Sequence, residues 1–135
     1  MKVFVGYDTR EDMAYQVCKH SILRHSPTAE VKPLKQNDLK RQGWYSRSED
    51  KLASTEFTFT RFLVPELANF NGWAVFMDCD MLLRTDIAEL FAQADDTKAV
   101  MCVQHDYAPK EAMKMDGQRQ TVYPRKNWSS MMLIN

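Results

Sequence analysis

The sequence has no excess charge of either sign: 18 lysines and arginines stand against 18 aspartates and glutamates, for a formal net charge of zero. A general nucleic-acid or membrane-surface binder, which needs a basic excess, is thereby disfavoured, and any anion site must be local. There is no apolar run long enough to span a bilayer. The first residues, Met1 to Gly6, are a short apolar stretch rather than the cationic start and long apolar core of a signal peptide. A cytoplasmic protein is expected. Cysteine is sparse, odd in number and scattered, at Cys18, Cys79 and Cys102. That argues against a disulfide framework and against a zinc site, and leaves all of them expected as small core residues. Internal repeats, low-complexity segments and linkers are absent too. What is there, 135 residues that are 44% hydrophobic and 27% charged, is the composition of one modest globular domain.

The chemistry is concentrated at Asp78-Cys79-Asp80, directly behind the apolar run Trp73 to Met77 and directly ahead of Met81-Leu82-Leu83. The run has the length and content of a buried strand, opened by the turn pair Asn71-Gly72, so the two carboxylates should emerge at the sheet's carboxyl edge. Open α/β sheets bind ligands at that edge. Hard cations such as Mg²⁺ and Mn²⁺ prefer oxygen ligands, commonly one or two carboxylates together with substrate phosphate oxygens. A bare D-x-D is usually a solvated acidic turn, but a decorative turn need not be framed by core residues on both sides.

Along the chain, strand and helix patterns alternate. Lys2 to Gly6 reads as a strand, and Arg10 to His25 as a helix with Met13, Ala14, Val17, Cys18 and Ile22 as its apolar stripe. A short strand near Glu30 to Leu34 follows, then a polar loop from Arg41 to Ser48 whose Trp44 and Tyr45 either reach a ligand or pin the loop. Ser54 to Phe70 reads as a helix that Pro65 kinks or splits. After the acidic pair come a short helix from Asp86 to Ala92, with Asp86 as its cap, a buried strand from Lys98 to Gln104, and a final apolar strand from Ser129 to Ile134. The alternation predicts an α/β fold: a mostly parallel, Rossmann-like sheet with helices on both faces. Because the chain ends inside an apolar strand, residues 1–135 are expected to be the amino-terminal part of a longer protein.

Gly6-Tyr7-Asp8, at the end of the first strand, is the second constellation. Gly6 would allow a sharp turn, Tyr7 can stack on a base, and Asp8 can accept from a base NH or a ribose hydroxyl. Asp8 reads equally as the cap of the following helix, and the two roles can coexist. Parallel strands would bring Asp8 and the acidic pair to one edge of one sheet.

With these residues in view, the chain resembles the nucleotide-sugar glycosyltransferases of the GT-A fold, most closely those of family 8 and its relatives. Val3-Phe4-Val5-Gly6-Tyr7-Asp8 resembles their first nucleotide-binding strand. Thr60-Arg61-Phe62-Leu63-Val64-Pro65-Glu66-Leu67 resembles the arginine-bearing helix ahead of the metal motif. Ala74 to Leu83, followed by Thr85 to Phe91, resembles their metal strand, D-x-D and next short helix. The resemblance implies that Asp80 binds Mn²⁺ or Mg²⁺ directly, and that Asp78 helps to hold it or contacts the ribose and donor sugar. It implies further that Tyr7 and Asp8 hold the nucleoside and that Arg61 reaches the donor sugar or braces the acidic pair. The tail Arg125 to Asn135 resembles a segment that contacts sugars, with Trp128-Ser129-Ser130 in place of the family's glycine-containing pattern. Asn127 and Ser129 are the donor contacts it suggests. The family's later metal histidine has no counterpart in sequence context: His20 and His25 fall in the first helix, and His105 follows a strand. Lys110, Lys114, Arg119, Arg125 and Lys126 are available to a diphosphate but read first as solvated loop charge.

Three functions follow as expectations. The first is a metal-dependent transferase moving a sugar from a nucleotide sugar, a uridine diphosphate donor, to an unidentified acceptor. The second is a phosphatase of the haloacid dehalogenase type, which also sets D-x-D behind a strand but carries Thr or Val where Leu82 stands. The third is a nucleotide-sugar binding module without transfer activity. Spacing assigns no catalytic base. The family 8 resemblance implies a retaining reaction, in which the leaving phosphate itself takes the acceptor proton.

Overall fold

The computed structural model describes residues 1–48, 50, 53–106 and 128–135. Its centre is a five-stranded sheet of β1 (Lys2–Gly6), β2 (Glu30–Leu34), β3 (Ala74–Met77), β4 (Val100–Cys102) and β5 (Met131–Ile134), in the order β2-β1-β3-β5-β4. The helices are α1 (Asp12–His25), α2 (Gln36–Arg41), α3 (Val64–Leu67) and α4 (Ala88–Phe91). Among the described residues no helix is long and apolar enough to cross a membrane.

The sheet is mixed α/β architecture but not mostly parallel, which corrects the sequence expectation. β1 pairs in parallel with both β2 and β3, whereas β5 runs antiparallel to both β3 and β4. Alternation of strands and helices fixes direction only where each crossover returns the chain to the same edge. β5 instead enters from the opposite end and slots between β3 and β4. β4 is thereby left at the sheet's edge, so the strand expected to be buried is half-open: Val100 is 49% exposed, and Cys102 is exposed rather than a core residue. Cys18 and Cys79 do lie in the core. Pro33, which has no NH for a ladder, is tolerated because β2 is the other edge strand.

Both faces of the sheet are covered. Successive strand residues point to opposite faces. Met77 meets Cys18 of α1, with the sulfurs 3.8 Å apart. Its neighbour Phe76 meets Phe57 on the other face, with ring centroids at 6.5 Å. The buried face of α1 is Tyr15, Cys18, Ser21 and Ile22, rotated from the expected stripe so that Met13 and Val17 face outward. The expected helix over residues 54–70 is instead a series of turns, a 3₁₀ turn at Thr60–Leu63, and α3 with Pro65 in its first turn. Proline is accommodated there because first-turn amides have no intrahelical acceptor.

Candidate functional site

β1 and β3 are adjacent and parallel, with Val5 opposite Met77, so the residues that follow them leave the same edge of the sheet. From β3 come Asp78 and Asp80, and from β1 come Tyr7 and Asp8. Asp78 extends the ladder by donating its NH to the Ser130 carbonyl at 2.8 Å. Its Oδ1 is buried without a hydrogen bond and lies 3.3 Å from Arg61 Nη1, a charge pair lacking hydrogen-bond alignment. Burial pushes the Asp78 carboxyl up to about 6. Arg61 and a hydrogen bond from Ser130 oppose that rise, and the negative charges of Asp80 and Glu11 add to it. Asp80 is exposed, two residues on. Between them Cys79 is buried, its Sγ donating to Glu11 Oε2 at 3.2 Å, and burial followed by that bond raises the thiol's pKa.

Arg61 is the hub of this corner. It is 9% exposed, and its guanidinium lies over the rings of Phe76 at 4.8 Å and Phe57 at 5.4 Å. Nε donates to the Phe57 carbonyl at 3.3 Å, and Nη1 donates to the Ser129 carbonyl at 2.7 Å and to Ser129 Oγ at 3.3 Å. Arg61, Asp78 and Ser129 are thus brought together from three separate parts of the chain. A cation stacked on two aromatic faces and bonded to two carbonyls holds its position well.

Asp8 is 1% exposed and fully engaged. Oδ1 accepts from Arg10 N at 2.9 Å and Arg10 Nε at 3.0 Å, and Oδ2 accepts from Arg10 Nη2 at 2.9 Å and Glu56 N at 3.1 Å. Arg10's side chain, above all, holds the Asp8 carboxyl below its usual range. Asp8 caps the 3₁₀ turn Thr9–Glu11 that leads into α1. Beside it opens a cavity of about 350 Å³ lined by Arg10, Asn37, Tyr45, Glu56 and Phe59 among others. Tyr45 forms part of that wall, whereas Trp44 does not line it. Tyr7 is 8% exposed: its ring packs edge-on to Tyr15 at 5.3 Å and carries Lys35 Nζ 4.5 Å above its face. Its hydroxyl donates to Asp12 Oδ1 at 2.7 Å, and that bond, followed by burial, pushes the phenol up to about 12. Stacking on a base would require Lys35 to move.

Asn127 and the basic residues from Lys110 to Lys126 lie outside the described residues. His105 is exposed and offers its carbonyl to Trp128 Nε1 at 3.2 Å, while His20 and His25 line a cleft on α1. Among the described residues no group of three or more histidine, cysteine or acidic side chains is arranged to hold a metal ion. The donor set at the edge is therefore two carboxylates, one with a buried oxygen that lacks a hydrogen bond. That fits a hard cation which completes its shell with water and phosphate oxygens. Arg10, Glu11, Glu56 and Ser130 were not expected from the sequence as individual site residues. Arg10 alone left a signal, a cation two residues past a capping aspartate.

No protein-family model matches the chain. It is 58% identical over 135 residues to "Protein CDI" of Arabidopsis thaliana, a match covering 99% of this chain and 52% of that protein. The chain thus spans about half the length of this curated relative. Among solved structures, the apo bifunctional glycosyltransferase WbbM is similar with a TM-score of 0.61 at 14% identity, over 100% of this chain and 31% of that one. The chain therefore shares its fold with part of that glycosyltransferase.

Proposed function

We propose that this chain is the donor-binding part of a metal-dependent glycosyltransferase of the family 8 type, which moves a sugar from a uridine diphosphate sugar to an acceptor. One observation carries the reading: a buried Asp78 oxygen with no hydrogen bond, held against Arg61 and followed by the exposed Asp80, at the strand edge where ligands bind. In this reading Asp78 and Asp80 hold Mn²⁺ or Mg²⁺. Such an ion, when bound, supplies positive charge where the leaving diphosphate becomes more negative. Arg61, itself held by Ser129, keeps Asp78 in place, and in this reading it contacts the donor sugar. The cavity beside Asp8 takes the nucleoside, its rim supplied by the Asp8–Arg10 pair and Tyr45. Tyr7, next to Asp8 in the chain, ties the end of β1 to the start of α1 through Asp12. Asn127 belongs to the donor contacts of the same reading.

Release of uridine diphosphate from a panel of uridine diphosphate sugars, followed with manganese and with chelator, tests this reading. The expected result is metal-dependent release that falls by about a hundredfold or more in Asp80→Ala, as when a group stabilising transition-state charge is removed. Release that ignores both the chelator and the substitution would overturn it.

A further inference from the structure

Away from the acidic pair, a second cleft of about 340 Å³ opens between α1 and the segment that follows Asp80. One wall is a single face of α1, where His20, Ser21, Arg24 and His25 follow Val17 by three, four, seven and eight residues. Leu82, Leu83 and Arg84 form the other. Buried hydroxyls pin the two walls together. Ser21 Oγ donates to the Cys18 carbonyl at 2.7 Å and accepts from Leu83 N at 3.0 Å. Further along, Ser26 Oγ donates to Asp86 Oδ1 at 2.7 Å and accepts from Ile87 N at 2.8 Å. The cleft is therefore preformed, and an occupant would not have to order it.

Its charge is one-sided. In a chain whose charges balance, the lining carries, among the described residues, two arginines and two histidines and no carboxylate. Among the described residues neither Arg24 nor Arg84 forms a salt bridge. Asp86 lies nearby, but its carboxyl is already engaged by Ala88 N at 2.9 Å and by Ser26. Val17 and Leu82, 50% and 63% exposed, add an apolar ledge beside the cations.

We propose that this cleft binds a phosphate monoester carrying an apolar body. Two guanidinium forks match the charge and the oxygen geometry of a phosphate dianion, whereas one carboxylate would leave a fork unpaired. The ledge takes the organic part, and the volume falls within the range of small-molecule sites. The same chemistry is offered by a phosphorylated metabolite and by a phosphorylated lipid headgroup. Nothing in the proposal depends on the acidic pair holding a metal.

Amide NMR titration with phenyl phosphate, in chelator, tests it, with benzyl alcohol as the uncharged control. Saturable shifts are expected at Val17 to His25 and Leu82 to Arg84 for phenyl phosphate and not for benzyl alcohol. The affinity should fall about tenfold or more in the double variant Arg24→Gln, Arg84→Gln. Both arginines are exposed, so the variant should melt with the parent protein. Co-sedimentation with phosphatidic acid vesicles against phosphatidylcholine vesicles separates the sources. Retention that the double variant loses assigns the lipid headgroup, and phenyl phosphate binding without retention assigns a soluble ester. Shifts that fail to saturate, that lie elsewhere or that survive the double variant overturn the proposal.

Discussion

Asp78 occupies a position that costs the isolated fold stability and suits a cation. Its carboxyl ordinarily titrates at 3.8 and is pushed by burial to about 6, even with Arg61 beside it. The folded state therefore holds this proton more tightly than the unfolded chain. The stabilisation is complete below about pH 4 and is lost as pH rises through about 6, in total on the order of 2–3 kcal/mol. Asp78→Asn, which cannot ionise, should remove this component. Urea midpoints of the two proteins at about pH 4.5, 6 and 7.5 should draw together or cross as pH rises, in favour of the variant. A difference that stays constant with pH would mean that Asp78 is not raised. The residues themselves announced only half of this. A D-x-D behind an apolar run was legible. The burial of one oxygen depends on Arg61 and Ser130, and these arrive from elsewhere in the chain.

The segment over residues 54–67 decides how the site's elements fit together. It lays Phe57 against β1 so closely that a Cβ on Gly6 would lie 2.6 Å from the ring, and from the same segment it delivers Arg61 to Asp78. Gly6 is thus needed for close approach. It is not among the residues with positive φ, so the sharp turn expected of it is not what the backbone uses. Gly6→Ala should destabilise the fold by about 1–3 kcal/mol, as overpacking does in well-filled cores. Chemical denaturation measures this, and a loss below about 0.5 kcal/mol would show that the Phe57 ring yields freely. Strands β1, β2, β3 and β5 were legible as short apolar or alternating runs bounded by turn signals. Of the α-helix expected over 54–70 only α3 forms, with Pro65 in its first turn, where a proline is tolerated. The edge placement of β4 could not be read either, since an apolar run does not reveal how many strands flank it.

At the scale of the whole molecule, a neutral chain separates its charge. Asp78 and Asp80 mark the carboxyl edge, and the cationic lining of the α1 cleft lies just beyond them along the chain. Net charge, the first thing the sequence offers, concealed this division. The resemblance implied a fold that the solved glycosyltransferase shares, and the adjacent parallel strands β1 and β3 bring the residues that follow them to one edge. The direction of β5 was hidden, since strand order is set by packing across the whole sheet. In the proposed function, the carboxyl edge of β1 and β3 binds a nucleoside diphosphate through a divalent cation. Calorimetric titration of uridine diphosphate into the protein tests it most directly, with manganese, with chelator, and with the Asp80→Ala variant alongside. Binding that requires both manganese and Asp80 is the predicted result. Equal heats in chelator, or in a folded Asp80→Ala variant, would contradict it.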